Sequence, residues 1–157
     1  MNKWYFGGFL MYFIFLTSCH KDNNILEGEN DYLIFGRFYG FCGGETCMET
    51  FKLTDTALFE DTIDAYRATD GFSFVKLSNV KFNMVKDIIN DIPSQLRQEE
   101  EKTFGCPDCY DQGGLMIQLS TENTIKTWFL DQTKMDIPTY LHGIHDSINA
   151  KIELINQ

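Results

Sequence analysis

The chain has 157 residues, 43% of them hydrophobic, and sets 23 acidic residues against 13 lysines and arginines for a formal net charge of −10. That length suits one domain with a real core. The acidic balance argues against nucleic acid and against broad electrostatic attachment to anionic lipid; solubility is its simplest use.

Met1-Asn2-Lys3 precedes an apolar run from Trp4 to Leu16, and Thr17-Ser18-Cys19 follows. One cation ahead of a short apolar core is the pattern of a secretory signal. The run is too short for a bilayer, which takes roughly 20 apolar residues to cross. Leu16-Thr17-Ser18-Cys19 resembles the lipobox of bacterial lipoproteins: a branched apolar residue, two small residues and a cysteine. The resemblance implies a signal peptide of residues 1–18, cleavage after Ser18, and fatty acid such as palmitate carried on Cys19. At about 0.8 kcal/mol per buried CH₂, two or three acyl chains make a near-permanent membrane anchor. Cleavage leaves 139 residues and, with Lys3 gone, a net charge of −11, from 12 cations against 23 acids.

Residues 19–30 are polar apart from Ile25 and Leu26 and read as a flexible tether, with a single domain over 31–157. Lys21-Asp22 loosely resembles the short charged signals that carry some outer-membrane lipoproteins to the cell surface, although a solvated tether is the simpler reading. His20 stands where an aspartate would favour retention at the inner membrane. The expected location is therefore the cell envelope, lipid-anchored at the outer membrane, on its periplasmic or surface face.

Tyr32 to Cys42 is aromatic and branched, with Gly36 and Gly40 interspersed, and reads as a buried strand whose glycines permit a bend, a bulge or close approach. Gly43 to Thr46 makes a hairpin loop. Met48 to Thr54 is a second strand with Phe51 and Leu53 on one face, and Leu58 to Thr62 a short third. Asp64 to Gly71 is a polar connection before a fourth strand, Phe72 to Leu77.

Ser78 or Asn79 caps a helix with Phe82, Val85, Ile88 or Ile89, and Ile92 at helical spacing. Pro93 interrupts it, and Ser94 to Lys102 continues as a short polar helix. Phe104 to Gly114 is a loop. Leu115, Ile117 and Leu119 alternate on a fifth strand, and Thr121-Glu122-Asn123 turns into a sixth, Thr124 to Leu130. A last helix opens near Pro138 and carries Leu141, Ile144, Ile148, Ile152 and Ile155. Asp91-Ile92-Pro93-Ser94 and Asp136-Ile137-Pro138-Thr139 are both helix starts. The expectation is an α+β fold: a mostly antiparallel sheet of five to six strands with two helices packed on one face.

Cys42-x4-Cys47 and Cys106-x2-Cys109 are the residues arranged for distinctive chemistry. In an oxidising compartment they read first as disulfides, whose pairing the sequence leaves open. Four thiolates in two close pairs also suit a structural zinc, and Cys106-Pro107-Asp108-Cys109 resembles a zinc-ribbon knuckle. Thiol exchange at Cys106 and Cys109 is the third reading. Tyr110-Asp111-Gln112-Gly113-Gly114 makes a poor helix there, and Asp108 and Asp111 disfavour a thiolate.

His142 and His145 sit three apart on the last helix, and exposed flank positions are their simpler reading. Glu45, Asp108 and Asp111 would gather into a cation site if the two cysteine loops met, but a solvated acidic rim is the default. No nucleophile motif, phosphate cradle or metalloprotease helix is present, so no catalytic residue is assigned.

Phe35-Gly36-x-Phe38-Tyr39-Gly40-x-Cys42-x-Gly44-Glu45-Thr46-Cys47 and Cys106-Pro107-Asp108-Cys109-x-Asp111-Gln112-Gly113-Gly114, behind the lipobox, look like a set of small uncharacterised bacterial lipoproteins of outer-membrane type. The resemblance covers most of the mature chain and implies no activity. The expected role is a non-enzymatic binding or structural lipoprotein that needs no cofactor. It would meet the membrane through Cys19 and an envelope protein or glycan through its domain, and would not bind nucleic acid. The alternatives are a zinc- or thiol-dependent envelope protein using the four cysteines, and an immunity or inhibitor lipoprotein.

Overall fold

The computed structural model describes residues 25, 26, 28, 30–42 and 47–157. Residues 1–24, with the signal segment and Cys19, lie outside the described residues, as does Glu45. Seven strands form one sheet: β1 (Tyr32–Phe38), β2 (Met48–Leu53), β3 (Leu58–Asp61), β4 (Phe74–Lys76), β5 (Lys102–Phe104), β6 (Gly114–Thr121) and β7 (Thr124–Asp131). Their order is β4-β3-β2-β1-β6-β7-β5. Every pairing is antiparallel except β5 with β7.

Register decides what each face does, because side chains alternate along a strand. Phe35 lies opposite Phe51 and Ile117, and Ile117 opposite Trp128. These four are fully buried, and with Leu33, Leu53, Leu58, Leu115 and Leu130 they form the floor of the core. The helices cover that floor. α1 (Asn79–Val85), a 3₁₀ segment over Lys86–Asp91 and α2 (Ser94–Gln98) bring Val85, Ile88, Ile92 and Leu96 onto it. α3 (His142–Ile155) adds Ile144, Ile148, Ile152 and Ile155, each at most 1% exposed, as the stripe requires.

The opposite face of the sheet is also covered. Residues 62–73, between β3 and β4, fold over it as a strap. Tyr66 meets Phe38 edge-on at 5.5 Å, and the Arg67 guanidinium lies 4.6 Å from the Phe129 ring centre. The amide of Gln118 donates to the Thr69 carbonyl at 2.9 Å. This is why β6 is buried at every position from Gly114 to Ser120 rather than at alternate ones.

The α+β class and most strand positions match expectation, but the sheet has seven strands and is mixed, and there are three α-helices rather than two. The added strand, β5, occupies residues expected as helix and loop. It has three residues behind Glu99-Glu100-Glu101, too few to show a period. Its partner is also distant: Lys102 to Phe104 align with Trp128 to Leu130. The long helix expected to reach Ile92 stops at Val85 and tightens to 3₁₀, where β-branched residues crowd the sequence. Ser78 caps α1, accepting from Lys81 N–H at 3.3 Å. Pro93 and Pro138 each stand immediately before a helical turn, as the repeated Asp-Ile-Pro predicts.

Leu26, expected in the flexible tether, is a core residue. It is 4% exposed and sits in a depression with Leu53, Phe82 and Ile89. Asp31 then closes a turn, its N–H donating to the Gly28 carbonyl at 3.0 Å and its carboxylate accepting from Gly28 N–H at 2.8 Å.

Candidate functional site

The chain enters β1 at Tyr32, beside the β2–β3 and β6–β7 turns, and leaves it at Phe38 toward the cysteine loops. The six steps between put those two ends ~20 Å apart. Both cysteine loops stand at the exit end. Cys42 bridges Cys47, and Cys106 bridges Cys109, each pair with its Cα atoms 5.6 Å apart. Each bridge is local, within its own motif. Bridged sulfurs offer no thiolate, so the thiols required for a four-cysteine zinc cage are occupied in each other.

The two loops do meet, through Asp108. Its Oδ2 accepts from Gly40 N–H at 2.7 Å and from the Tyr66 hydroxyl at 2.8 Å, while Oδ1 accepts from Gly113 N–H at 3.0 Å. One carboxylate thereby joins the β1–β2 loop, the strap and its own loop. Burial and this hydrogen bond push the Tyr66 phenol above its usual range. Asp108 has φ +65°, a conformation that aspartate tolerates better than most side chains. Gly40 and Gly113 are required by the same contact. A Cβ on Gly40 would collide with the Asp108 carboxylate, and Gly113, at φ +78°, lies against the Tyr39 ring.

Asp131, at the end of β7, is the second junction and is 1% exposed. It accepts from Thr133 N–H at 2.7 Å, from Cys106 N–H at 2.9 Å and from the Gln112 amide at 3.3 Å. Burial alone would raise its pKa, but these donors outweigh burial and hold it below the usual aspartate value. A carboxylate beside the Cys106 amide is the reverse of a thiol-activating environment. Sequence reasoning missed Asp131, Tyr66 and Gln112. The signal was present for Asp131: an Asp at a strand end, two residues before a Thr whose N–H it accepts, is an Asx turn.

Among the described residues, the three most exposed large apolar side chains all stand at this end: Phe41 at 86%, Tyr110 at 88% and Met135 at 91%. Phe41 and Tyr110 ride on the two bridged loops, and Met135 on the turn that follows Asp131.

The other candidates resolve differently. The cation site weighed against a solvated acidic rim would need Asp108, whose oxygens are engaged as above, and Glu45, which falls outside the described residues. Among the described residues no group of three or more His, Cys, Asp or Glu is placed to hold a metal ion. His145 is not an exposed flank residue. It is 5% exposed, its Nε2 lies 3.0 Å from the Gln132 carbonyl and its Nδ1 3.4 Å from Asp146. His142 is half-buried, 3.4 Å from the Ile137 carbonyl, and shares no site with it. Arg37 pairs with buried Glu49 and with Glu153 at 2.6 Å, and Asn156 donates to Glu49, so this polar cluster fastens the end of α3 to the sheet.

No helix among the described residues is long and apolar enough to cross a membrane. No family model matches the chain, and a search of curated proteins finds no match.

Proposed function

We propose that the protein is an exported lipoprotein, anchored at the outer membrane through Cys19, whose domain is a non-enzymatic binding or structural module of the cell envelope. The observation that carries this reading is the placement of opposite features at opposite ends of β1. The chain arrives from its anchor side at Tyr32, where Leu26 is already docked in the core. The bridged loops bearing Phe41 and Tyr110 stand at the far end. Aromatic side chains next to a bridged cysteine have a neighbouring backbone constrained by the disulfide and so lose less freedom on association, which is what a binding surface needs. The polar groups support the same reading, because Asp108, Asp131 and His145 are engaged in holding segments together.

The test is metabolic labelling. Cells making the full chain should incorporate labelled palmitate into it, and Cys19→Ala should abolish the label and release the domain from the membrane fraction. A mature protein that still begins at Met1 overturns the reading.

A further inference from the structure

Along the face of the sheet opposite the helices, a groove of about 540 Å³ follows β7 between the strap and β5. Its floor is Ile125, Thr127 and Phe129, which alternate onto that face, and its length along the strand is ~14 Å. Gln118 and Thr69 form one wall, Glu101 and Thr103 the other.

The chemistry of this groove is specific. Gln118 is 4% exposed, and its amide nitrogen donates to the Thr69 carbonyl at 2.9 Å and to the Thr127 hydroxyl at 3.0 Å. Both amide protons are thereby used, and Oε1 is the atom that can still accept from a ligand. Thr127 N–H is met by one oxygen of Glu101 at 2.9 Å. The Thr127 hydroxyl accepts from Gln118 and keeps its own proton to donate.

The two cations near the groove, Lys102 in its lining and Arg67 beside Phe129, both have partners. Lys102 pairs with Glu99 at 2.7 Å and Arg67 lies on the rings of Phe38 and Phe129. An anion would therefore meet Glu101 with only an already paired lysine beside it, and a purely apolar ligand would leave the amide oxygen and the hydroxyls unpaired.

We infer that this groove binds a short stretch of neutral, hydroxyl-rich glycan. The amide, the hydroxyls and the Glu101 carboxylate take its hydroxyl groups, and Phe129 and Ile125 take its apolar C–H faces. The inference goes beyond the reading above, which places binding at the bridged loops, and gives this groove a ligand class of its own. Glu101 is the one carboxylate that lines the groove. Hydrolysis by a carboxylate pair would need a second across the bond, so the glycan is held rather than cut.

The experiment titrates the mature chain with cellotetraose, maltotetraose and chitotetraose through the millimolar range while amide NMR shifts are followed. At least one sugar should move the signals of Thr103, Gln118, Ile125 and Thr127 together. Thr103→Arg and Ile125→Arg, both at exposed positions, should weaken binding at least about tenfold, a loss of ~1.4 kcal/mol. Their melting temperatures should stay unchanged, and Val80→Arg on α1 should bind as the parent does. Three silent titrations overturn the inference, and so does binding indifferent to both arginines. Saturation of the same signals by an extended peptide but by no sugar would replace the glycan with strand addition at β7. Labelling and titration fail separately. A lipidated chain that takes no sugar sinks only the groove, and an unlipidated chain that takes sugar sinks only the anchor.

Discussion

Asp108 does more for this structure than its position in a four-residue motif suggests. Three donors from three different segments converge on it, and at a partly buried site each charged hydrogen bond contributes about 1–2 kcal/mol. Asp108→Ala should therefore lower unfolding stability by about 2–3 kcal/mol, read as a shift in the urea midpoint. Asp108→Asn keeps one acceptor and tolerates the positive φ, so it should cost less than half as much. Asp131 makes a different prediction, in acid. Its folded-state pKa lies below the usual aspartate value of about 3.9. Its contribution is complete above that value and is lost as pH falls through the folded-state pKa. Urea midpoints should hold from neutral pH to about 5 and decline below about 4. In Asp131→Asn the decline should be shallower, and an equal slope in both proteins would remove Asp131 from the acid response.

At the scale of elements, the disulfides separate two accounts of what the cysteines do. A bridge between the two motifs would close a long loop and contribute more than 4 kcal/mol in the chain-entropy account, whereas each local bridge contributes about 2. The observed pairs are five and three residues apart. Replacing Cys42 and Cys47 together by Ser, or Cys106 and Cys109 together by Ser, should cost about 2 kcal/mol in each case. The four-site variant should then exceed the sum of the two, because both loops share Asp108 as a partner. Strict additivity in chemical denaturation would show that the loops do not support each other. The elements themselves were legible in proportion to their period. The α3 stripe and the β6–β7 alternation announce themselves, since repeated apolar spacing is a local property. Residues Lys102 to Phe104 give no such warning, because β5 exists through a parallel alignment with residues 26 positions further on. The covering of the second sheet face was equally hidden. Residues 62–73 are polar by composition and stay exposed or half-buried themselves, and their hold on the sheet depends on three contacts: Tyr66 on Phe38, Arg67 on Phe129, and Thr69 to Gln118. Which cysteines pair was likewise a matter of where the loops lie, as was the buried setting of His145.

For the whole molecule, the proposed lipid anchor at Cys19 makes one quantity decisive, how far the domain would stand from the lipid, and Leu26 would set it. A tether free through residue 30 would let the domain roam, but Leu26 is 4% exposed beside Leu53, Phe82 and Ile89. From Cys19 to Leu26 there are seven steps, spanning at most ~25 Å when fully extended. With an acylated Cys19, the entry end of β1 is held close to the headgroups and the bridged loops are turned away from them. Leu26→Ala removes a buried side chain and should cost about 2–3 kcal/mol. Leu26→Asp should go further and undock residues 25–30 while β1 stays paired, since Asp31 is held to β6–β7 through its bond from Glu122 N–H. The undocked tether, twelve steps to Asp31 instead of seven, would be about 70% longer, so protease added to intact membranes should release the domain several times faster from the Leu26→Asp protein. Equal release rates, with the variant still folded, would mean that Leu26 packs without governing the distance and that the domain is positioned by something other than the length of its leash.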